Sequence, residues 1–240
     1  MRALAAAAWL VATAALGADS ISISAFSAAP AGSALPKGWS RVSLPYGNHS
    51  DVRIVADEGA HVLRVKSDHA FGSVAYPMTA DSARTPILSW RWKVDRVVEG
   101  ARLERKDGED FAARVYVSFE YPEDRLSFGT RTKLAVARTF YGFVPSAAIC
   151  YVWDNRHPQG MSLWSPHFDH VRVVVLQSGA ANAGKWVEEH RDVEADFRAA
   201  FKDWKGPVPH VNGLVAGNDT DQTGESATAW FGDFHLGAKP

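Results

Sequence analysis

The C-terminal stretch GNDTDQTGESATAWFGDFHL (217–236) combines residue types and spacing that could bind a metal ion. Asp219, Asp221 and Thr223 alternate, and a glycine follows them. Alternating oxygen ligands with a glycine at the sharp turn suit a hard cation such as Ca²⁺. An EF-hand is excluded, because its twelfth position should be glutamate and is Trp230, and because both flanks resemble strands. We therefore predict either a looser Ca²⁺ site on these three residues or a polar turn that bonds its own backbone.

A second group of candidate residues lies in EDFAARVYVSFEY (109–121), where apolar and polar residues alternate. This alternation predicts a strand with Asp110, Arg114 and Tyr116 on one face. An arginine within a strand needs a carboxylate partner, and Asp233 in the last predicted strand is a candidate besides Asp110. Aromatic rings beside planar polar side chains also suit a sugar. The stripe therefore predicts either a ligand-binding face or a buried structural ion pair.

The loop after the apolar strand AAICYVW (147–153) extends this predicted surface with further aromatic and polar side chains. The complete predicted ligand-binding set is Asp110, Arg114, Tyr116, Trp153, Asp154, Asn155, His157 and Asp233.

Carboxylates offer another route to chemistry. A glycan hydrolase or lyase needs two of them beside the scissile bond, and the candidates are Glu109, Asp110, Asp219 and Asp221. The sequence contains no serine-nucleophile elbow, zinc-protease motif or dinucleotide fingerprint. Cys150 lies in an apolar run and is predicted to be a buried small hydrophobe. Acidic pairs are common in any chain with 27 acidic residues, so no catalytic residue is assigned.

Composition defines the class of protein. The chain has 240 residues, of which 46% are hydrophobic and 22% are charged, as expected for one globular domain with a sizeable core. Its formal net charge of −1 provides no electrostatic basis for binding nucleic acid or an anionic membrane surface. Most of the nine tryptophans are predicted to lie in the core.

The N-terminus resembles a short secretory signal peptide of the Gram-negative type. A positive charge at Arg2 precedes an apolar run at positions 3–16, and small residues follow. The run is too short for a comfortable membrane span, so we expect cleavage and no stable membrane insertion; a retained anchor is the alternative. The Ser/Ala-rich stretch up to residue 34 predicts a flexible linker. We expect a periplasmic or secreted protein, and its single cysteine excludes an internal disulfide.

The remaining elements must position these residues. PILSWRWKVD (86–95) alternates and places Trp90 and Trp92 on one apolar face. VEADFRAAFKDW (193–204) predicts a helix capped by Asp192, whereas RTKLAVARTFYG (131–142) fits a helix or a strand. Many short strands with few helices predict a mainly β fold. The expected architecture over residues 35–240 is an antiparallel, jelly-roll-like β-sandwich with one or two short helices.

The order of several segments resembles a known bacterial family. The segments are LPKGW, LSWRWKV, KDGEDFAARVYVSF, AAICYVWDN, VVVLQSG, KWVEEHRDVEADFRAAF and DTDQTGESATAWFGDFHL. Together they resemble the exported family of unknown function numbered 3047, over about residues 35–236. The resemblance implies a β-sandwich of the galactose-binding or carbohydrate-binding-module kind. It implies no activity and no catalytic residues, because kinship of fold does not determine function.

The sequence therefore predicts an exported, non-catalytic module that binds a glycan or another cell-envelope ligand. One alternative is a carbohydrate-active hydrolase or lyase, which requires two of the candidate carboxylates in a common cleft. Another alternative is a structural envelope protein without a small ligand, which requires Arg114 to be neutralised internally.

Overall fold

The computed structural model describes residues 20–42, 48–141 and 144–239. Most of the predicted signal peptide lies outside these residues. The strands in chain order are β1 (Ser20–Ser22), β2 (Ser40–Val42), β3 (Asn48–His49), β4 (Asp51–Asp57), β5 (Ala60–Asp68), β6 (Ala70–Ala80), β7 (Ile87–Val94), β8 (Phe111–Phe119), β9 (Ala147–Asp154), β10 (Ser162–Trp164), β11 (Val171–Ser178), β12 (Val187–Asp192), β13 (Val211–Asp219), β14 (Ser226–Phe231) and β15 (His235–Gly237). The helices are α1 (Phe128–Tyr141) and α2 (Val193–Ala200), with short 3₁₀ turns at Lys106–Gly108 and Glu123–Arg125.

The strands form two sheets. Sheet A has the order β1-β15-β7-β14-β5-β4, and β12 also pairs with β7. Sheet B has the order β10-β11-β9-β8-β13-β6-β2, and β3 also pairs with β6. Most pairs are antiparallel, but β11 runs parallel to β9 and β3 runs parallel to β6. The predicted mainly β, antiparallel sandwich with two short helices is confirmed.

The core lies between the two sheets and is rich in aromatic residues. Trp90 and Trp92 are both buried there and meet edge to face, with ring centres 5.6 Å apart. Their predicted place in the core is confirmed, because alternate residues of β7 point towards sheet B. A second, smaller apolar cluster includes Cys150 and Val152 and covers the opposite face of sheet B. The predicted burial of Cys150 is also confirmed.

The segment predicted to be a flexible linker is packed against the sandwich from Ser20 onwards. β1 pairs with β15 at the edge of sheet A. Phe26 is only 1% exposed and packs on Trp39 and Phe234, with ring centres 4.8 and 6.3 Å away. The Ser/Ala-rich composition hides a few large apolar side chains, which are sufficient to anchor the segment in the core.

The two helices resolve the remaining predictions of secondary structure. Asp192 caps α2 as predicted, and its side chain accepts the amide of Ala195 at 2.9 Å. Phe197 is the fully buried anchor of α2 and stacks on Phe201. α1 takes the helical alternative of the two that the sequence left open. Within the described ranges, no helix is both long and apolar enough to cross a membrane.

Strand β8 departs from strict alternation at its start. Phe111 belongs to the cluster on the outer face of sheet B, whereas Ala112 and Ala113 both belong to the main core. The pairing of β13 with β8 shifts register at this point, between Gly217 and Asp219. Such an irregularity moves one residue to the other face of the sheet. It places Phe111 beside Arg114.

Candidate functional site

Strands β8 and β13 bring together polar residues that are far apart in the sequence. Arg114 lies opposite Gly217, and its Nη1 forms an ion pair with Asp219 Oδ2 at 2.9 Å. Asp110 immediately precedes β8, and Asp221 follows β13 after one residue. The four residues with charged side chains, Asp110, Arg114, Asp219 and Asp221, are named the Arg114 cluster. The sequence predicted all four as site residues but did not predict which of them meet.

Three aromatic rings surround the guanidinium of Arg114. Its Cζ lies 4.7 Å from the ring centre of Phe71, 5.6 Å from that of Tyr116 and 5.7 Å from that of Phe111. Arg114 is 5% exposed. Burial by itself would lower the pKa of Arg114, but Tyr116 and Asp219 raise it overall, so the guanidinium stays charged. The predicted ligand contact by Arg114 therefore gives way to an internal cation that ring faces and one carboxyl hold.

The carboxyl groups of the cluster lie close to one another. Asp110, Asp219 and Asp221 each place one oxygen within 4.8 Å of the others. Burial raises the pKa of Asp219 to about 8; the charges of Asp221 and Asp110 act in the same direction, and Arg114 acts in the opposite one. One guanidinium does not balance three carboxylates. A proton on Asp219 would relieve the excess negative charge, and the pH dependence of stability tests for it.

The predicted calcium ligands only partly converge. Asp219 and Asp221 meet, but Thr223 uses its groups for the turn: its amide donates to Asp110 Oδ2 at 2.7 Å, and its hydroxyl accepts from Glu225 at 3.4 Å. Asp110 takes the place of Thr223 in the group of possible ligands. The geometry therefore matches the predicted polar turn at Thr223. A Ca²⁺ site on the three carboxylates stays a hypothesis.

The predicted contact loop after β9 is turned towards the inside of the protein. Trp153 is fully buried, packs on Trp92 at 5.9 Å between ring centres, and donates to a backbone carbonyl at 3.1 Å. Asp154 accepts the amides of Arg156 and His157 at 2.8 and 2.6 Å. The predicted ligand contacts of Trp153 and Asp154 are thus replaced by core packing and by a turn, because each side chain has an internal partner.

The other two polar residues of that loop also bond internally. Asn155 Nδ2 donates to the carbonyl of Glu99 at 2.8 Å, and His157 Nδ1 lies 3.0 Å from Asp154 Oδ2. These bonds fix the loop against the segment that leads to β8. Both side chains remain partly exposed, but they do not join Arg114 or Tyr116 in one ligand-facing surface.

Asp233 does not partner Arg114, although the sequence offered it as a candidate. It lies between β14 and β15 of sheet A, and its two oxygens accept the amide and the hydroxyl of Ser27 at 3.0 and 2.5 Å. Asp233 also lines a separate pocket of about 280 Å³ with His190 and His235. Its role in the described fold is to hold the N-terminal segment.

The four carboxylates proposed for catalysis do not form an evident acid–nucleophile pair. Asp110 accepts two backbone amides, and Asp219 accepts the guanidinium of Arg114. Glu109 is buried; burial raises its pKa, and His167 Nε2 lies 3.6 Å away. Asp221 is exposed beside Asp219. Asp110, Asp219 and Glu109 are thus buried, and only Asp221 is exposed, so the hydrolase alternative stays a hypothesis.

A groove that the sequence did not indicate runs along helix α2. One part, of about 440 Å³, lies among α2, β11 and β12, and a second part, of about 420 Å³, lies between α2 and β10. The two parts share Arg172, Ala199 and Ala200 and so form one continuous surface, which is named the α2 groove. Both volumes fall within the range of about 300–1,000 Å³ that is usual for ligand sites.

Aromatic rings line one end of the α2 groove. Trp164 is 38% exposed and meets Phe201 edge to face, with ring centres 5.4 Å apart. Arg172 lies directly opposite Trp164 in the β10–β11 pairing, and its Cζ is 5.2 Å from the ring centre. Arg125 lies over Trp204 at 4.5 Å. The end of the groove that these residues form is named the aromatic end.

Hydrogen-bonded carboxylates line the other end. Glu189 Oε1 accepts from Gln177 at 2.8 Å and from Trp92 Nε1 at 3.2 Å. Burial raises the pKa of Glu189, although both hydrogen bonds act against the rise. Asp196 accepts from Tyr151 and Arg191, at 2.7 Å from the hydroxyl and at 2.6 and 3.0 Å from the guanidinium. This end is a rigid polar wall.

The sequence carried only a weak signal for the groove, in the surroundings of its tryptophans. Trp164 lies between Leu163 and Ser165, and Trp204 lies between Asp203 and Lys205. The core tryptophans of β7, in contrast, alternate with polar residues on a single apolar face. A tryptophan outside a regular apolar stripe is a better candidate for a binding surface than for the core.

Fold and groove together define a two-sheet β-sandwich with a lateral aromatic groove. Residues 37–235 match the family described as "Protein of unknown function (DUF3047)", so the chain belongs to this family, as its motifs suggested. None of the curated proteins matches it.

Several solved structures share the sandwich architecture. Endoglucanase cel12A from Rhodothermus marinus is 10% identical, with 84% of this chain and 92% of that chain covered and a TM-score of 0.47. The xyloglucanase domain of NopAA from Sinorhizobium fredii, in complex with cellobiose, is 11% identical, with 88% and 97% covered and a TM-score of 0.49. A mutant of the carbohydrate-binding module CBM29-2, complexed with cellulohexaose, is 10% identical, with 92% of each chain covered and a TM-score of 0.37. Likeness at this level carries no argument about function.

Proposed function

We propose that the protein is an exported, non-catalytic glycan-binding protein of the cell envelope and that the α2 groove is its binding site. The observation that carries this proposal is the aromatic end, where Trp164 and Trp204 line one groove beside two guanidinium groups. Export follows from the signal-peptide pattern of the N-terminus.

The chemistry of the groove suits a sugar chain. An exposed indole offers a flat apolar surface to the C–H groups of a pyranose ring, while planar amide and guanidinium groups reach its hydroxyls. Gln159 and Gln177 provide such amides in the first part of the groove, and Arg172 joins that part to the aromatic end. The groove is long and open rather than enclosed, which favours an extended chain over a compact small molecule.

The carboxylates in the groove support binding rather than bond cleavage. Asp196 is already engaged by a guanidinium and a phenol, and Glu189 accepts from an amide and a buried indole. A glycosidase needs one carboxyl free to donate a proton and another free to attack or to activate water. Internal bonds instead make these two residues fixed acceptors for ligand hydroxyls.

The test is affinity measurement with matched tryptophan variants. Wild type, Trp164→Ala, Trp204→Ala and Trp186→Ala would be titrated by calorimetry with soluble β-glucan, galactan and polygalacturonate and with peptidoglycan fragments. Trp186 is the control, because it is partly exposed but lies outside the groove and donates to Asp57. Loss of a stacking tryptophan should weaken binding by about 2 kcal/mol, or roughly 30-fold.

Melting temperatures of all variants would separate lost binding from lost folding. Binding of one polymer that is weakened by Trp164→Ala and Trp204→Ala but kept in Trp186→Ala supports the proposal. Failure of every polymer to bind a folded wild type would instead support the structural alternative. Release of reducing ends from a bound polymer would show that the protein is an enzyme.

A further inference from the structure

We infer that the glycan bound in the α2 groove is acidic and that carboxylates on its sugar units pair with Arg125 and Arg172. This inference rests on the proposed function and adds the chemical class of the ligand. Its basis is the charge of the aromatic end, where Arg125, Arg172 and Lys202 face one carboxylate, that of Asp203. The surplus stands out because the whole chain has a formal net charge of −1.

Neither arginine of the aromatic end is neutralised within the protein. Among the residues that the structure describes, no carboxylate lies within ion-pair distance of Arg125 or Arg172. Arg172 donates to Ser162 through Nε and Nη2, which leaves Nη1 to a ligand. The guanidinium of Arg125 is exposed and lies only over the ring of Trp204.

The other arginines around the groove behave differently. Arg191 of strand β12, in the polar wall, forms two hydrogen bonds to Asp196. On helix α2, Arg198 forms an ion pair with Glu194 at 3.1 Å. The chain thus provides acidic partners for neighbouring arginines but none for Arg125 and Arg172. Two unpaired guanidinium groups held over indole rings form a site for an anionic group attached to a ring-shaped ligand.

A carboxylate fits this arrangement better than a tetrahedral oxyanion. The exposed guanidinium of Arg125 offers two parallel N–H groups in a plane, which match the two oxygens of a carboxylate, and Arg172 adds the single group Nη1. On a uronic acid the carboxylate is attached directly to the pyranose ring. Stacking of the ring on Trp164 therefore brings the carboxylate to the neighbouring Arg172. Sulfated and phosphorylated sugars share the negative charge but not the planar group, and the experiment separates these sources.

The experiment compares one polymer with and without its charge. Oligogalacturonate, the same oligomer after chemical reduction of its carboxyl groups, and dextran sulfate would be titrated into wild type, Arg125→Gln, Arg172→Gln and Arg96→Gln. Arg96→Gln is the charge-matched control, because Arg96 is exposed, lies outside the groove and pairs with Asp95. Glutamine keeps a planar polar group, so the variants remove the charge with little change of shape.

Oligogalacturonate should bind at least about tenfold more tightly than its reduced form. Arg125→Gln and Arg172→Gln should each lose most of this preference, and Arg96→Gln should keep it. Equal binding of the two forms would overturn the acidic class while the proposed function stands. Dextran sulfate as tight as oligogalacturonate would overturn the carboxylate assignment. If the wild type binds none of the polymers, neutral ones included, both the acidic class of the ligand and the proposed function are overturned.

Discussion

Replacing Asp219 with asparagine tests whether this buried carboxyl carries a proton in the folded protein. Burial, with the charges of Asp221 and Asp110, raises the pKa of Asp219 from 3.8 to about 8, although Arg114 acts in the opposite direction. Between these two pH values the folded chain binds one more proton than the unfolded chain. The contribution to stability is therefore complete below about pH 4 and is lost as the pH rises through 8.

The size of the effect follows from the distance between the pH and the folded pKa. Each pH unit is worth about 1.4 kcal/mol, so a rise from about pH 6 to pH 9 should lower the free energy of unfolding by roughly 2–3 kcal/mol through Asp219 alone. Asp219→Asn should lack this component, because an amide has no proton to lose. Near pH 6 the variant should be almost as stable as wild type, since a neutral amide with its oxygen beside the guanidinium replaces a neutral carboxyl.

The assay is urea unfolding followed by tryptophan fluorescence at several pH values. Histidines titrate in the same range, so the readout is the difference between Asp219→Asn and wild type, not the wild-type slope. Asp107→Asn is the control, because Asp107 forms an exposed ion pair with Arg105. Parallel pH curves for wild type and Asp219→Asn would refute the reasoning. Asp219 would then be ionised throughout, and its replacement should cost about 3–5 kcal/mol at every pH.

Two further predictions concern the N-terminal segment and the carboxylates of the Arg114 cluster. Phe26→Ala should lower the free energy of unfolding by about 3–5 kcal/mol, because Phe26 is 1% exposed. Phe128 is the control: it is 79% exposed, so Phe128→Ala should change the free energy of unfolding by less than about 0.5 kcal/mol. Urea unfolding measures both changes in free energy. Equal effects of the two replacements would support the flexible linker that the composition predicted. EDTA should leave the melting temperature unchanged, because Arg114 and two backbone amides already bond Asp219 and Asp110. A fall reversed only by Ca²⁺ would establish a calcium site.

Alternation along the chain predicted the sandwich because it records which side of each strand meets the core. In β7 the alternate residues from Leu88 to Val94 are buried, and this pattern placed Trp90 and Trp92 correctly, although Lys93, between Trp92 and Val94, is buried too. β8 shows the limit of the rule. A shift in its pairing with β13 puts Phe111 on the outer face, and nothing within the strand reveals where its partner is irregular.

Composition predicted the N-terminal segment less well than the strands. Ser, Ala and Gly dominate residues 20–34, so the average property of the stretch is that of a linker. Phe26 nevertheless inserts between Trp39 and Phe234, and Ser27 bonds Asp233. A single large side chain with a prepared partner outweighs the mean composition of its neighbours, and the partner lies at the other end of the chain.

The Arg114 cluster was predictable in its members because charged residues inside apolar strands must find partners. The identity of each partner was not predictable, because it depends on which strands are neighbours in sheet B. Arg114 pairs with Asp219 and not with Asp233. The reason is that β13, which ends at Asp219, is the neighbour of β8, whereas Asp233 lies between two strands of sheet A. The loop residues Trp153 and Asp154 were misjudged for the same reason, because their partners come from distant segments.

The α2 groove escaped prediction because it has no local motif. Its walls come from β10, β11, β12, α2 and the segment around Arg125, whose side chains come together only in the folded protein. The residues that looked most like a site, in contrast, have partners inside the protein. A polar group with an internal partner contributes to the fold, whereas one exposed in a groove without a partner can recognise a ligand. By that criterion Arg125 and Arg172 are the first residues to test for function.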